Sequence, residues 1–296
     1  MALGWRDAFL ESERLGPSYL ATARQYFDPL AARLASAANA APASLLVAIN
    51  GSQGSGKSTL CAYLRRALEA EHECSCIDLS LDDFYLTRAE RETLAASVHP
   101  LLLTRGVPGT HDVKLLEQTL DALADPRAGT VMVPRFSKAN DDREPPEAWS
   151  RKKAPVDVVL LEGWCVGARS VDDVALRDPI NDLERLEDSE MRWRAYVNEC
   201  LRGVYEPLYS RFGGWIMLAA PGFDQVLRWR TEQEDKLREA RGGMGRGLMD
   251  DAQLRRFVAH FERQTRQCLT DLPERCDVVL QLDADRNIVS GTGLES

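Results

Sequence analysis

The sequence predicts an α/β fold, a doubly wound and mainly parallel sheet with helices on both faces. Three observations carry this. Five short, predominantly apolar runs, at 45–50, 74–81, 156–163, 215–220 and 276–283, have the character of strands covered on both sides. Amphipathic stretches with apolar residues at three- and four-residue spacing separate them, and such alternation belongs to parallel sheets wound by crossover helices. A glycine-rich segment directly follows the first run and opens the next helical stretch, an arrangement suited to holding phosphate.

In chain order, residues 5–38 are rich in Ala and Leu, and Leu20, Ala23, Phe27, Leu30 and Leu34 recur at helical spacing. Residues 1–42 therefore read as an N-terminal helical extension closed by Pro42, and 43–296 as the α/β domain. Helices are expected through Leu60, Leu64 and Leu68, through Leu116, Leu120 and Leu123, along one long element from Trp193 to Leu208, and from Leu254 to Cys268. On the long element, Trp193, Tyr196 and Tyr205 fit packing better than an aromatic ligand box. Segments 83–111 and 134–155 show no clear periodicity and read as long loops, a class that often carries function. The run 242–247 (GGMGRG) reads as flexible.

Composition narrows the function classes. With 44% hydrophobic and 28% charged residues over 296 positions, the chain can bury a substantial core. Thirty-seven basic against 46 acidic residues leave a net charge of −9, which argues against a nucleic-acid-tracking surface. The first ten residues lack a signal-peptide pattern and no window suits a membrane span, so a cytoplasmic protein is expected. Seven cysteines without a CxxC pair read as reduced core thiols.

The segment Gly51, Ser52, Gln53, Gly54, Ser55, Gly56, Lys57, Ser58 fits G-x-x-x-x-G-K-[ST] in its required strand-to-helix context. Glycines let the backbone wrap a phosphate chain, Lys57 reaches the outer phosphates, and the Ser58 hydroxyl takes a Mg²⁺ position. ATP and Mg²⁺ are the expected cofactors, with Thr59 completing the nucleotide-binding stretch. A second acid beside the metal is expected at the end of a neighbouring strand, and Glu162 stands there, followed by Gly163.

Phosphoryl transfer to a hydroxyl uses a carboxylate base, and Asp82 and Asp83 follow the second strand at the ligand-binding edge of the sheet. On position alone, turn capping explains this pair as well as catalysis does. Arg105, Arg135, Lys138 and Arg143 gather positive charge in the two long segments as candidate carboxylate and phosphate ligands, although from charge alone a solvated mixed-charge loop is the better reading of 135–153. Asp112 suits an N-cap for the helix starting near Val113 and a substrate contact equally, with His111 beside it.

The order of P-loop, LDDFY (81–85), RGVPGTHD (105–112) and EGW (162–164) resembles the uridine kinase, pantothenate kinase and phosphoribulokinase group. More narrowly, with VPRFSKANDDR (133–143), LLEGWCVGA (160–168), VLRWRTEQE (226–234) and LQLDADRNI (280–288), the chain resembles plant-type D-glycerate 3-kinase and its microbial relatives over 51–288. The resemblance implies a P-loop NTPase fold for the kinase domain 43–296. It also implies that Asp82 is the base and, through the pattern PRFSK (134–138), that Arg135 and Lys138 contact the acceptor; Asp83, Tyr85, Arg105, His111 and Asp112 are the further candidate acceptor contacts. An arginine-bearing lid over 226–247 is implied too, with Arg228 and Arg230 stabilising the migrating phosphoryl group.

These readings converge on an ATP-dependent small-molecule kinase, with D-glycerate as acceptor and 3-phosphoglycerate as product. Nucleosides, pantothenate or sugar phosphates are the competing acceptors. A non-catalytic ATP sensor is the competing class, against which the retained Asp82, Glu162 and lid arginines argue, since sensing needs no base.

Overall fold

The computed structural model describes residues 4–240 and 249–294. Its strands are β1 (Leu45–Gly51), β2 (Cys76–Ser80), β3 (Thr130–Val133), β4 (Phe136–Ser137), β5 (Asp142–Arg143), β6 (Ser150–Lys153), β7 (Val158–Gly163), β8 (Gly214–Ala219), β9 (Val278–Leu282) and β10 (Ile288–Thr292). Six of these form the main sheet in the order β10-β9-β8-β1-β7-β2, with β3–β6 and β4–β5 as separate two-stranded ribbons. Every neighbour in the main sheet is parallel except β10, which runs antiparallel to β9.

The helices are α1 (Trp5–Glu13), α2 (Tyr19–Thr22), α3 (Asp28–Ala40), α4 (Lys57–Glu71), α5 (Arg88–Ser97), α6 (Val113–Ala124), α7 (Asp182–Glu187), α8 (Arg192–Cys200), α9 (Glu206–Tyr209), α10 (Phe223–Ala240), α11 (Asp251–Ala259) and α12 (Glu262–Asp271). A π-helical turn at Ala23–Phe27 joins α2 to α3, and another at Leu201–Tyr205 joins α8 to α9 into one continuous rod.

The apolar runs become strands because both faces of the sheet are covered. Side chains alternate across a strand, so Val47 and Ile49 enter one core while Ala48 enters the other. The first core lies under α3, α4 and α10, and the second under α6, α9 and the segment after β7. Phe9, Phe27, Leu30 and Leu34 of the N-terminal segment share the first core with Leu60, Tyr63 and Leu64 of α4. A polar contact ties the same layers, the Arg6 guanidinium and the Tyr63 hydroxyl both bonding Asp28, at 2.9 and 2.6 Å.

The mainly parallel, doubly wound sheet is the one expected, and all five apolar runs lie on its strands. Three readings need correction. Segment 83–111 is no loop: it holds α5, whose N-terminus carries a capping box of Thr87 and Glu90. Segment 134–155 contains β4, β5 and β6, short pairings without enough residues to show alternation. The helix expected from Leu254 to Cys268 breaks at His260–Phe261 into α11 and α12, which lets Phe261 turn its ring edge-on to Trp164, at 5.0 Å.

Candidate active site

The site assembles on the C-terminal edge of the parallel strands, where β1, β2 and β7 end side by side. Register pairs Ile49 with Glu162 and Ser80 with Glu162, so the P-loop, the acid of β7 and the turn after β2 emerge at one level.

The P-loop wraps because of three glycines. A Cβ on Gly51 would stand 2.5 Å from the Ser55 hydroxyl oxygen, and Gly54 and Gly56 take φ of 78° and 90°. The loop then enters α4 at Lys57, leaving first-turn N–H groups without helical acceptors. The Ser58 hydroxyl donates to Glu162 Oε1 at 3.0 Å, while Lys57 Nζ stands 3.7 Å from Oε2. Glu162 is 6% exposed, and its Oε2 has no hydrogen-bond partner, nor do the buried hydroxyls of Ser52 and Ser55. Such orphans are costly unless a ligand satisfies them. A buried carboxylate oxygen beside a serine hydroxyl and a lysine fits Mg²⁺ and phosphate.

Beyond β2 the chain makes a 3₁₀ turn, Leu81–Phe84, that presents both aspartates. Asp82 accepts from the Tyr85 hydroxyl at 2.7 Å and from Lys138 at 2.7 Å. Asp83 accepts from Arg135 at 2.9 Å and from the Phe136 amide at 3.1 Å. Burial alone would raise the Asp82 carboxyl, but Lys138, then Lys57 and the Tyr85 hydroxyl, outweigh it and pull the group down to about 2. Burial wins at Asp83, whose carboxyl is raised in spite of the Phe136 amide and Arg135. Ser58, Asp82, Asp83, Arg135, Lys138 and Glu162 line one cavity of about 290 Å³.

The remaining expected acceptor contacts stand behind this front. His111 is buried, shares a 2.7 Å hydrogen bond with the Tyr205 hydroxyl and stacks on Tyr85 at 4.7 Å, so it backs the ring that bonds Asp82. Burial pushes its imidazole down to about 4 against a small opposing pull from Asp82. Asp112 caps α6 through the Leu115 amide at 3.0 Å and accepts from Arg143 at 3.0 Å. Both of its oxygens are thereby spent on structure. Arg105 pairs with Asp141 and lies 5.6 Å from the Phe136 ring.

Two arginines carried no role in the sequence reading. Arg91, 1% exposed, donates to the carbonyls of Leu103 at 2.7 Å and Asp141 at 2.6 Å and pairs with Asp141 Oδ1 at 3.1 Å. It ties α5 to the β4–β5 ribbon that carries Lys138, and the capping box T-x-x-E just before it is the signal that locates its helix. Arg286 donates to the Gly54 carbonyl at 2.8 Å and to Glu232 at 2.8 Å, with its guanidinium 5.2 Å over Trp229. No sequence spacing signals a contact across 232 positions.

Of the lid arginines, Arg228 is half-exposed and pairs with Glu232 at 3.1 Å and Asp285 at 3.7 Å, and Arg230 lies 5.7 Å from the Phe257 ring. The run 242–247 lies outside the described residues. Among the described residues no three His, Cys, Asp or Glu side chains group as a metal cage. Mg²⁺ at a phosphate site needs none, since one or two protein oxygens and phosphate oxygens suffice, and Ser58 and Glu162 are the residues that could supply the protein share. No described helix is long and apolar enough to cross a membrane.

Comparison with known proteins identifies the family. The Phosphoribulokinase / Uridine kinase family model matches residues 46–175, from β1 to just past β7. The chain is 34% identical over 228 residues to Uncharacterized kinase mug58 of Schizosaccharomyces pombe, covering 74% of this chain and 79% of that one. It is 29% identical over 226 residues to the chloroplastic D-glycerate 3-kinase of Arabidopsis thaliana, covering 73% of this chain and 46% of the plant protein. The solved D-glycerate 3-kinase from Cryptococcus neoformans var. grubii serotype A superposes with a TM-score of 0.75 at 25% identity, covering 90% of this chain and 97% of that one. By sequence, by fold and by the P-loop at its sheet edge, the chain belongs to the phosphoribulokinase/uridine kinase family of P-loop kinases.

Proposed function

We propose that the protein transfers the γ-phosphoryl group of ATP to the 3-hydroxyl of D-glycerate, forming 3-phosphoglycerate and ADP. The observation that carries this reading is the cavity in which Asp82 and Asp83 each meet a cation, Lys138 and Arg135, beside Ser58 and Glu162. A base next to two exposed cations suits an acceptor that presents a hydroxyl and a carboxylate a few ångströms apart. A neutral nucleoside would bring no anion of its own to the two cations, which already pair with Asp82 and Asp83.

In this mechanism Asp82 holds the acceptor hydroxyl in line and takes its proton as the oxygen–phosphorus bond forms and the bond to the β-phosphate oxygen breaks. Lys57 stabilises charge on the phosphoryl oxygens, and Ser58 and Glu162 would hold Mg²⁺, which when bound would supply charge neutralisation to the transferring phosphate. Tyr85, backed by His111, keeps the Asp82 carboxylate oriented. Lys138 and Arg135 receive the acceptor carboxylate. The lid arginines Arg228 and Arg230 act from α10, with closure excluding water as a competing acceptor. The relatives' printed activity supports the choice of glycerate over other acceptors.

The test is turnover with Mg-ATP and a panel of D-glycerate, L-glycerate, uridine, pantothenate and ribulose 5-phosphate. Selective D-glycerate-dependent ADP release is the expected outcome. Turnover with another acceptor would discard the substrate and keep the mechanism, whereas ATP binding without any turnover would favour a sensor.

A further inference from the structure

A cavity of about 370 Å³, a volume ordinary for small-molecule sites, lies against the second core near the starts of β8 and β9. It shares no lining residue with the cavity at Asp82. Part of its lining is aromatic: Tyr209 is buried, and the half-buried Trp215 meets it edge-on at 6.0 Å. The charged part is two arginines, Arg169 on the segment that follows β7 and Arg275 on the turn between α12 and β9.

Both guanidinium groups are short of partners. Arg275 donates to the Gly167 carbonyl at 2.5 Å, while its Nε is buried with no hydrogen-bond partner. The Arg169 side chain makes no hydrogen bond or ion pair among the described residues. Burial and then the neighbouring charge of Arg169 push the Arg275 guanidinium below its ordinary value, and Asp271 pulls weakly the other way without pairing with it. A guanidinium in a protein does not shed its proton, so an anion is what relieves both the unmade bonds and the repulsion. Glu206 also lines the cavity, but its Oε1 already accepts from the Ser170 amide and hydroxyl, each at 2.7 Å, and one carboxylate does not balance two cations.

We propose that this cavity binds a small organic oxyanion with a flat apolar body, a carboxylate or a phosphate monoester, at a site separate from the phosphate loop. The oxyanion bridges Arg169 and Arg275, whose planar forks match its oxygens. The body lies against Trp215 and Tyr209, and Glu206 offers an acceptor to a hydroxyl or amino group on the ligand. Occupancy reaches the active site through the segment 162–169, which starts at Glu162. Along it the Asn50 side-chain amide, at the end of β1, donates to the carbonyls of Trp164 and Val166 at 3.1 and 2.8 Å, the Tyr209 hydroxyl donates to that of Cys165 at 2.9 Å, and Arg275 donates to that of Gly167. A ligand that reseats Arg275 or Tyr209 therefore acts on the stretch that carries Glu162. The site does not depend on which acceptor is phosphorylated.

The test is calorimetric titration of the full chain with phenyl phosphate, benzoate and inorganic phosphate. Phenyl phosphate also suits the phosphate loop and the acceptor cations, so two variants separate the sites. Lys57→Ala combined with Lys138→Ala removes the cations of the active site, and Arg169→Glu reverses one charge of the new site at an exposed position that leaves the core intact. Phenyl phosphate or benzoate is expected to bind the double variant within about twofold of wild type and Arg169→Glu at least about tenfold more weakly, with inorganic phosphate at least about tenfold weaker than the better of the two on wild type. The better of the two identifies the oxyanion. Binding of neither to wild type, equal affinity in Arg169→Glu, or equal loss in the double variant overturns the inference, and inorganic phosphate binding as tightly as both overturns the flat body. Hydrogen exchange in the double variant reads the link to Glu162. Slower exchange at 164–169 with the bound probe supports it, and unchanged exchange there refutes it.

Discussion

At the scale of single residues, the proposed mechanism turns on Asp82, whose two oxygens are each bonded, one by Tyr85 and one by Lys138. Asp82→Asn keeps the shape and removes the proton acceptor, so kcat should fall by roughly 10²–10⁴ with little change in ATP affinity. Normal turnover in that variant would remove Asp82 from the mechanism. In the proposed mechanism Lys138 both binds the acceptor and tunes the base. Its charge helps hold the Asp82 carboxyl down at about 2, so the base stays ionised far into acid in the free enzyme. Lys138→Ala should raise the KM for D-glycerate at least about tenfold. It should also move the acid limb of the kcat/KM profile to higher pH, since the carboxylate then loses its neighbouring cation and protonates more readily. A limb that stays in place would show that the ion pair has no bearing on the base.

At the scale of elements, the β4–β5 ribbon delivers Arg135 and Lys138 to the two aspartates, and a buried arginine holds it there. Arg91 makes its bonds to the carbonyls of Leu86, Leu103 and Asp141 from a side chain that is 1% exposed. Arg91→Met keeps the bulk and strands those acceptors, which should cost about 2–4 kcal/mol of stability by urea unfolding. KM for the acceptor should rise more than KM for ATP, because α5 and the ribbon lie on the acceptor side. An equal change in both would assign Arg91 to general packing. These elements were also the least legible beforehand. A two-residue strand shows no period, and α5 carries only one fully buried residue, Arg91 itself, so it lacks the apolar stripe by which α4 and α6 announce themselves. Its capping box was the readable signal.

At the scale of the molecule, two buried histidines link stability to pH. His111 and His260 are each pushed down to about 4 by burial, whereas in the unfolded chain they titrate near the ordinary value of about 6.5. Between those values the unfolded state binds the extra protons, so stability is complete above about pH 6.5 and is lost as pH falls toward 4. Each histidine should cost about 2 kcal/mol by pH 5 relative to neutral pH. Urea unfolding of wild type and His260→Gln at the two pH values checks this, and the variant should lose about half the acid sensitivity. An unchanged slope would mean that the acid response lies in other groups.

How much of this was readable beforehand follows from the range of the interactions. The sequence by itself determined the parallel sheet, the P-loop, the acid at the end of β7 and the aspartate pair after β2. Each is a local pattern: a doubly covered strand is apolar along its length, and a phosphate loop needs its glycines and lysine in succession. Only the tertiary structure decided which aspartate meets which cation, that Asp112 is held as a helix cap, that Arg91 anchors the β4–β5 ribbon, and that Arg286 reaches the P-loop. It also decided that the N-terminal helices lean on α4 and wall a cavity beside the P-loop. Those contacts join positions tens to hundreds of residues apart. Burial and charge select such partners only after the chain has closed on itself, and no spacing along the sequence records the choice.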